Sequence, residues 1–444
     1  MGRSLPLFRP GEFRDLVSGR RRGPWAALLR SGLRAAEVPY TWAVRRRNRR
    51  YQSGAAAVYR VAVPVVSVGN LTLGGTGKTP MVQWLARWLA GRQVAVGIVS
   101  RGYGAGARCQ VSGGSEREMG SEAPGLRPGD HGSPYTGQAA GGTPAPQNDE
   151  ALELAWNLPG VPHVQDPDRV AAARRAIDEF HCRVILLDDG FQHRRIARDL
   201  DLVLLDALEP LGFGHVFPRG TLREPLEGLA RADVVALSRA DLIGPDQRGE
   251  IRCQVEHYAP RAQWMELAHW PETLVGFPKP ADGPVARAPR AGWSPHLTAQ
   301  TPSPPAPLPQ GERGAIAVPP AAVLAEQPLE SLAGQRVLAF CGIGNPAGFR
   351  HTLAACGYRL VDFLEFPDHH GYTRRDLDRL AATAQRLDVA AILCTQKDLV
   401  KLAASRLGDR PLWAVRIGLE ILAGREALES RLAQAASGAG GVVS

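Results

Sequence analysis

The chain has 444 residues, 44% of them hydrophobic and 22% charged, a composition typical of a globular protein long enough for two domains. No run of about 18 apolar residues occurs and the N-terminus lacks an apolar signal core, so neither a transmembrane helix nor a secretory signal is expected. The formal net charge of +9 is uneven, because the first 60 residues hold 14 arginines against only three carboxylates. The six cysteines form no CxxC pair, which favours free thiols in a reducing cytoplasm.

The basic N-terminal segment is predicted to be helical over residues 24–52, starting at Pro24 and interrupted at Pro39. Aromatic residues such as Trp42 stand beside the arginine cluster at 45–50. This combination suits the edge of an anionic bilayer, where each basic residue contributes roughly 1 kcal/mol. The alternatives are a helix packed on the protein with a solvated basic face, and an RNA-binding arm.

A glycine-rich loop follows the first apolar run, Val63–Val68, and leads into an apolar helical pattern. A strand that enters a helix through such a loop, ending in Lys-Thr, is typical of a phosphate site. Lys78 supplies a charge for the outer phosphates, and the Thr79 hydroxyl is placed to ligate Mg²⁺. The residues predicted to bind the nucleotide are Thr72, Gly74, Gly75, Thr76, Gly77, Lys78 and Thr79, with Thr72 standing where the usual pattern has its first glycine.

Strand and helix patterns alternate from Val63 onward. The fold class predicted is α/β, with a P-loop NTPase-like, doubly wound, mostly parallel sheet and a second, smaller α/β domain. The predicted strands are Val63–Val68, Gln93–Val99, Arg183–Leu187, Asp201–Leu205, Ala232–Leu237, Val337–Cys341, Tyr358–Phe366, Ala390–Thr395 and Leu412–Ile417, and two of the predicted helices are Pro80–Ala90 and Pro167–Phe180. The predicted divisions are a basic helical segment (1–60), a P-loop domain (61–275), a Pro-rich disordered linker (276–325) and the smaller domain (326–444), with a disordered insertion at 105–147.

Two adjacent carboxylates, Asp188 and Asp189, directly follow the predicted strand at 183–187. In an open α/β sheet, the carboxyl end of a strand lies at the crevice where ligands bind. Adjacent carboxylates repel each other unless a cation lies between them, so Asp188 and Asp189 are both candidate ligands for Mg²⁺.

Taken together, the motifs resemble those of the tetraacyldisaccharide 4′-kinases, the lipid A 4′-kinases. The motifs that carry the resemblance are Gly69-Asn-Leu-Thr-Leu-Gly-Gly-Thr-Gly-Lys-Thr-Pro80, Ser100-Arg-Gly-Tyr-Gly104, Asp188-Asp-Gly-Phe-Gln-His193, Phe217-Pro-Arg-Gly-Thr-Leu-Arg-Glu224, Phe366-Pro-Asp-His369 and Thr395-Gln-Lys-Asp398. The resemblance implies transfer of the γ-phosphate of ATP, with Mg²⁺, to the 4′-hydroxyl of a lipid-linked glucosamine disaccharide 1-phosphate. It also implies a peripheral protein on the cytoplasmic face of the bacterial inner membrane, and we expect a monomer with no nucleic-acid partner.

The same resemblance implies roles for single residues. Asp149, in Asn148-Asp-Glu-Ala151 where the family has Gly-Asp-Glu-Pro, would accept the proton of the hydroxyl with help from His369. General-base help of this kind contributes about 10²–10⁴ in rate. Glu224 would join Thr79, Asp188 and Asp189 as a metal ligand. Arg169, Arg223, Gln192 and His193 would bind the substrate.

Two other classes of protein stay open from the residues alone. Ser238-Arg-Ala-Asp241 and Thr395-Gln-Lys-Asp398 have a faint likeness to the strand-end Asn-Lys-x-Asp with which GTPases bind guanine. A P-loop GTPase or metallochaperone is therefore one alternative. A nucleic-acid-stimulated ATPase that uses the basic N-terminal arm is the other.

Overall fold

The structure is a computed structural model that describes residues 10–102, 108–110, 149–278 and 324–437. Within these ranges the strands are β1 (Val65–Asn70), β2 (Val96–Ser100), β3 (Arg108–Gln110), β4 (His163–Gln165), β5 (Val184–Asp188), β6 (Leu200–Asp206), β7 (Val234–Ser238), β8 (Gln263–Gly276), β9 (Ala325–Gln327), β10 (Arg336–Cys341), β11 (Arg359–Glu365), β12 (Ala391–Thr395), β13 (Arg406–Leu407) and β14 (Arg410–Ala423). The α-helices there are α1 (Pro10–Val17), α2 (Pro24–Gln52), α3 (Lys78–Ala90), α4 (Asp149–Asn157), α5 (Arg169–Phe180), α6 (Pro245–Tyr258), α7 (Pro346–Ala355), α8 (Arg374–Arg386), α9 (Gln396–Leu402) and α10 (Arg425–Ser437).

The described strands belong to one sheet, in which two mainly parallel blocks meet at an antiparallel pair. The strand order is β11-β10-β12-β14-β8-β7-β6-β1-β5-β2-β4-β3, with β13 paired to β14 and β9 paired to β8. β8 runs parallel to β7, β14 runs parallel to β12, and β8 and β14 are antiparallel to each other. We call β1–β7 with their helices the P-loop half, and β10–β12 with α7–α9 the C-terminal half. The long β8–β14 pair carries the sheet from one half into the other.

Helices cover both faces of the P-loop half. Val66 and Val68 of β1 belong to a buried cluster with α3, whereas Val65 belongs to a different cluster with α5. Because successive strand residues point to opposite faces, α3 and α5 lie on opposite sides of the sheet. The last helix, α10, adds Leu428 and Leu432 to the cluster around α3. The predicted doubly wound α/β fold is therefore confirmed, and the final helix packs on the P-loop half.

The predicted strands are all present with shifted ends, but the short edge strands and β8 were not predicted. Most of the two predicted insertions, 105–147 and 276–325, lies outside the described residues. Inside the first of them, Arg108–Gln110 pair with β4 as an edge strand. The predicted division of the chain into domains stays a prediction.

Helix α2 runs without a break, so the predicted interruption at Pro39 is wrong. Proline has no N–H donor for the carbonyl of Ala35, one turn earlier. Both residues are exposed, so water can satisfy that carbonyl. Glu37 attaches the helix to the P-loop half, because its Oε1 accepts a hydrogen bond of 2.8 Å from the backbone N–H of Val216. Among the described residues, no helix has the length and apolar character needed to cross a membrane.

Candidate active site

The loop between β1 and α3 has the backbone form of a phosphate-binding loop. Gly74 and Gly77 have φ angles of 120° and 82°, which residues with a side chain rarely adopt. Helix α3 begins at Lys78, so its unpaired N–H groups and the positive end of its dipole lie at the loop. Three threonines of the loop and of the first helical turn are buried: Thr72, Thr76 and Thr79. The predicted nucleotide residues thus form one continuous loop suited to phosphate.

Two side chains hold this loop from outside. Asn70 donates to the carbonyl of Thr72 at 2.8 Å, and Arg239 donates to the carbonyl of Gly75 at 3.0 Å. Arg239 also forms an ion pair with Asp206. It lies in the strand-end sequence that was compared above with the guanine motif of GTPases. In the structure this arginine supports the P-loop backbone.

The two carboxylates at the end of β5 have different surroundings. Asp188 is 4% exposed, and its Oδ1 has no hydrogen-bond partner among the described residues. Burial, together with the charge of Glu150, raises the pKa of Asp188 to about 7, although Lys78 opposes the shift. Asp189 instead accepts contacts of 2.9 and 2.8 Å from Arg223 Nη1 and lies 3.5 Å from Lys78 Nζ. Burial alone would raise the pKa of Asp189, but these two cations lower it to about 2.

Asp188 is therefore better suited than Asp189 to bind a metal ion. Mg²⁺ usually takes one or two carboxylates and completes its shell with water and phosphate oxygens. The buried Thr79 lies in the first turn of α3 and has a hydroxyl oxygen of the kind that Mg²⁺ prefers. No group of three or more His, Cys, Asp or Glu that could hold a metal occurs in the described part of the chain. These residues fit a Mg²⁺ ion shared with nucleotide phosphates, and not one caged by protein alone.

Glu224, predicted to bind a metal, accepts hydrogen bonds from three other parts of the chain. Its Oε1 accepts hydrogen bonds from Arg231 Nη2 at 2.8 Å and from Gln192 Nε2 at 3.2 Å. Its Oε2 accepts one of 2.8 Å from Asn48 of α2, and the residue is fully buried. Gln192, predicted to bind substrate, also donates to the carbonyl of Asn70 at 2.9 Å. Glu224 thus ties α2 to the segments that carry Gln192 and Arg231, and its predicted binding of a metal stays a prediction.

Arg169 and His193, both predicted to bind substrate, lie close to each other. Arg169 is the first residue of α5 and is 7% exposed. His193 Nε2 is buried without a hydrogen-bond partner in the ranges that the structure describes. Burial, aided by the charge of Arg169, lowers the pKa of His193 to about 4, so its ring is neutral at neutral pH. The pair places a cation beside a neutral imidazole, and its contact with substrate stays a prediction.

Asp149 of α4 contacts a histidine and a lysine from the C-terminal half. Its Oδ1 and Oδ2 lie 3.0 and 3.1 Å from His369 Nδ1, and Oδ2 lies 3.0 Å from Lys401 Nζ. Burial raises the pKa of Asp149, but the hydrogen bonds and charges of His369 and Lys401 outweigh burial and hold it well below its usual range. The hydrogen bond to Asp149 in turn raises the pKa of His369. The structure thus brings the predicted pair together, and it adds Lys401, which the sequence analysis missed.

A second set of contacts holds α4 against α9. Lys397 Nζ lies 2.7 Å from Glu150 Oε1. Gln396 and Asn157 exchange two hydrogen bonds of 3.2 and 3.4 Å. Gln396 and Lys397 belong to the motif at residues 395–398, so this motif anchors the helix that carries Asp149. Helix α9 therefore supplies both the lysine beside Asp149 and the attachment of its helix.

Replacing Lys401 by methionine should move the acid limb of the pH–kcat profile to higher pH. The lysine lowers the pKa of Asp149, so without it Asp149 is protonated at a higher pH and loses its capacity to accept a proton. Measuring kcat of the reaction proposed below, from pH 9 down to the lowest pH at which the protein stays folded, checks this prediction. Lys401→Arg, which keeps the charge, is the matched control and should shift the limb less. An acid limb at the same pH in the methionine variant and in the wild type would contradict the assignment.

The sequence matches a known protein family over most of its length. The sequence model of the family described as tetraacyldisaccharide-1-P 4′-kinase matches residues 29–126 and 129–437. A tetraacyldisaccharide 4′-kinase of Anaeromyxobacter dehalogenans (strain 2CP-C) is 37% identical over 416 residues, covering 93% of this chain and 92% of the relative. One from Geobacter sulfurreducens is 33% identical, covering 91% of this chain and 93% of the relative.

A solved structure shows the same fold. A crystal structure of LpxK from Aquifex aeolicus, described as an "apo" form in complex with ATP, has a TM-score of 0.59 to this chain. The sequence identity is 24%, and the match covers 92% of this chain and 99% of the other. The family match over most of the sequence, with relatives at 37% and 33% identity, shows that the chain belongs to the tetraacyldisaccharide-1-P 4′-kinase family.

Proposed function

We propose that this chain transfers the γ-phosphoryl group of ATP to the 4′-hydroxyl of a tetraacyldisaccharide 1-phosphate, a step of lipid A biosynthesis. The observation that carries the proposal is the buried Asp149, held by His369 and Lys401 within the same site as the P-loop. Glu150, the next residue, interacts electrostatically with Lys78 and Asp188, so α4 starts beside the phosphate-binding loop. A carboxylate in that position can receive the proton of an attacking hydroxyl.

Binding of the phosphates and removal of the proton fall to different residues of this site. Lys78 and the amides of the P-loop hold the outer phosphates, while Asp189 orients Lys78 and Arg223 by its ion pairs with both. As the new bond between the 4′-oxygen and the γ-phosphorus forms, the bond from that phosphorus to the β–γ bridging oxygen breaks and ADP leaves, while the 4′-hydroxyl loses its proton to the carboxylate of Asp149. His369 donates its Nδ1–H to that carboxylate, which keeps an oxygen aimed at the hydroxyl. The low pKa of Asp149 suits a loose transition state, in which the proton moves late.

Mg²⁺ is part of the proposal. Thr79 and Asp188 would hold it, and it would supply positive charge to the phosphate oxygens. Arg169 and His193 would contact an anionic group of the substrate, for which the 1-phosphate is the natural candidate.

The test is transfer of label from γ-labelled ATP to the disaccharide lipid by purified protein. Labelled lipid should appear with the 4′-hydroxyl acceptor, and none with an acceptor that is already phosphorylated at that position. Two comparisons separate the alternative classes. Faster turnover with GTP than with ATP would favour the GTPase class, and hydrolysis of ATP stimulated by RNA or DNA would favour the nucleic-acid ATPase.

Attachment to the cytoplasmic face of the bacterial inner membrane as a peripheral monomer is also proposed, and α2 is its basis. Large apolar side chains on this helix and the loops near it are exposed to solvent: Trp25, Leu28, Val38, Tyr40, Trp42, Phe213 and Phe217. Tyr40 and Phe217 pack edge to face, 6.0 Å apart, which links the helix to the neighbouring loop. Exposed arginines follow in the last turns of α2. Apolar anchors next to positive charge suit an anionic lipid surface.

Removing three of these charges, with Arg46, Arg49 and Arg50 replaced by serine, should weaken binding to anionic vesicles by about 100-fold, at about 1 kcal/mol per residue. The remaining binding should depend less on salt than that of the wild type, because screening acts on the lost charges. Vesicle sedimentation over a range of salt concentrations measures both effects. The matched control removes the same charge from the exposed face of α8, with Arg375, Arg379 and Arg386 replaced by serine. Equal losses in the two triple variants would contradict a role specific to α2.

A further inference from the structure

Helix α1 lies before the first residue that the family model matches, residue 29, yet it packs firmly on the P-loop half. Leu16 is fully buried and Val17 is 3% exposed. The carbonyl of Val17 accepts a hydrogen bond of 3.0 Å from Arg219 Nη1. This short helix is therefore fixed in place, and its polar side chains have defined positions.

Arg14 of α1 reaches three separate parts of the site. Its Nε lies 3.3 Å from Glu209 Oε2, and its Nη1 donates to the carbonyl of Gly344 at 3.2 Å. Its Nη2 is so close to the P-loop that a Cβ built on Gly74 would lie 3.3 Å from it. Glu209 is held in turn by the hydroxyl of Thr221 at 2.8 Å. One guanidinium thus links Glu209 of the P-loop half to a turn of the C-terminal half, with its Nη2 lying beside Gly74 of the P-loop.

That turn supports the histidine beside Asp149. The carbonyl of Gly342 accepts a hydrogen bond of 3.1 Å from the backbone N–H of His369. A Cβ built on Gly344 would lie 3.1 Å from Asp368 Oδ2, so the residue before His369 rests on Gly344. The segment Gly342–Gly344 therefore supports His369, and Arg14 donates a hydrogen bond to one end of this segment, at Gly344.

We propose that Arg14 is a positioning residue that links Glu209 of the P-loop half to the Gly342–Gly344 segment and so keeps His369 aligned with Asp149; we call these two contacts the clasp. A planar guanidinium has donors pointing in several fixed directions, so it can bond Glu209 and the carbonyl of Gly344 from different nitrogens, which the compact ammonium of a lysine cannot do over the same span. The inference rests on the proposed kinase reaction, in which the acceptor site lies between the phosphates and the His369–Asp149 pair. Small displacements of such groups are costly, because the geometry of reacting atoms controls the rate.

Kinetics with the disaccharide lipid test the clasp through Arg14→Ala, Arg14→Lys and the control Arg20→Ala, an exposed arginine just beyond α1. We expect Arg14→Ala to lower kcat by between about 10- and 100-fold. The KM for ATP should change less than about twofold, because the bonds of Arg14 are to Glu209 and Gly344 and not to the loop amides that hold the phosphates. The limb of the pH–kcat profile that reports the titration of His369 should move to lower pH. The hydrogen bond to Asp149 is what raises the pKa of His369, so loosening that bond lowers the pKa again. Arg14→Lys should restore little, and Arg20→Ala should match the wild type.

A measurement without catalysis separates failure of the clasp from failure of the proposed function. Amide hydrogen exchange of residues 342–345 and 366–371 should be faster in Arg14→Ala than in Arg20→Ala, while exchange of β10 stays the same. If the wild type transfers no phosphate to the lipid, the proposed function fails, and this exchange experiment still decides on the clasp. Equal exchange in the two variants, or a wild-type kcat in Arg14→Ala or Arg14→Lys, would overturn it.

Discussion

Asp149→Asn should lower kcat for lipid phosphorylation by about 10²–10⁴ while the KM for ATP stays within about twofold of the wild type. Asparagine keeps the shape of the side chain and can still bond to His369, but it cannot take up a proton. The loss therefore concerns the chemical step and not the binding of nucleotide. Single-turnover transfer from labelled ATP, with ATP affinity measured by calorimetry, checks both parts.

The matched control for this change is Asp178→Asn, which removes a carboxylate from the exposed side of α5. It should leave kcat unchanged. Transfer by Asp149→Asn at the rate of the control would show that the hydroxyl gives up its proton elsewhere. In that case the contacts of 3.0 Å with His369 and Lys401 would be structural only.

Lys78→Met should lower kcat by about 10²–10³, the range found when one electrostatic stabiliser of a transition state is removed. The side chain of Lys78 is 11% exposed and its ammonium is held 3.5 Å from Asp189, so its charge is placed in advance at the phosphate end of the loop. Unlike Asp149→Asn, this variant should also bind ATP more weakly, because ground-state phosphates interact with the same charge. Steady-state kinetics and calorimetry separate the two effects.

A second variant sharpens this test. Lys78→Arg keeps the charge but replaces a compact ammonium by a wide planar fork. We expect it to recover affinity for ATP in part and little of kcat, since a guanidinium spreads its charge over a plane and does not place a point charge at the position of the ammonium. If Lys78→Met retained wild-type kcat, Lys78 would have no part in the reaction.

The parts of the site that follow local sequence rules were predictable. The P-loop and the acidic strand end are short continuous segments whose backbone form depends on their own glycines and on the strand before them. Predicted strands such as Val63–Val68 differ from the structure by two residues or so because a strand end depends on its pairing. β8 was missed because its half-buried pattern contains Pro271 and exposed residues, and it becomes a strand through its long partner β14.

The side-chain roles were harder to predict, because they depend on contacts between residues far apart in the chain. Lys401 lies on a short helix that reads as an ordinary surface segment, and only the fold places it beside Asp149. Residue type alone does not distinguish His369 from its neighbour His370. The structure separates them, because His370 bonds to Asp376 at 3.1 Å while His369 reaches Asp149. The motif at 217–224 implied that Glu224 binds a metal, but it could not indicate the hydrogen bonds that Glu224 accepts from three residues of other segments.

The path of the chain through β8 and β14 has a consequence for dissecting this enzyme. The polypeptide leaves the P-loop half along β8, builds the C-terminal half, and returns along β14 to place α10 on the cluster around α3. Topologically, the C-terminal half is an insertion, with an exit and a re-entry side by side. A fragment that stops after β8 would expose the surface that Leu428 and Leu432 cover. A self-standing nucleotide-binding fragment needs a loop that joins β8 directly to β14, with the last helix retained.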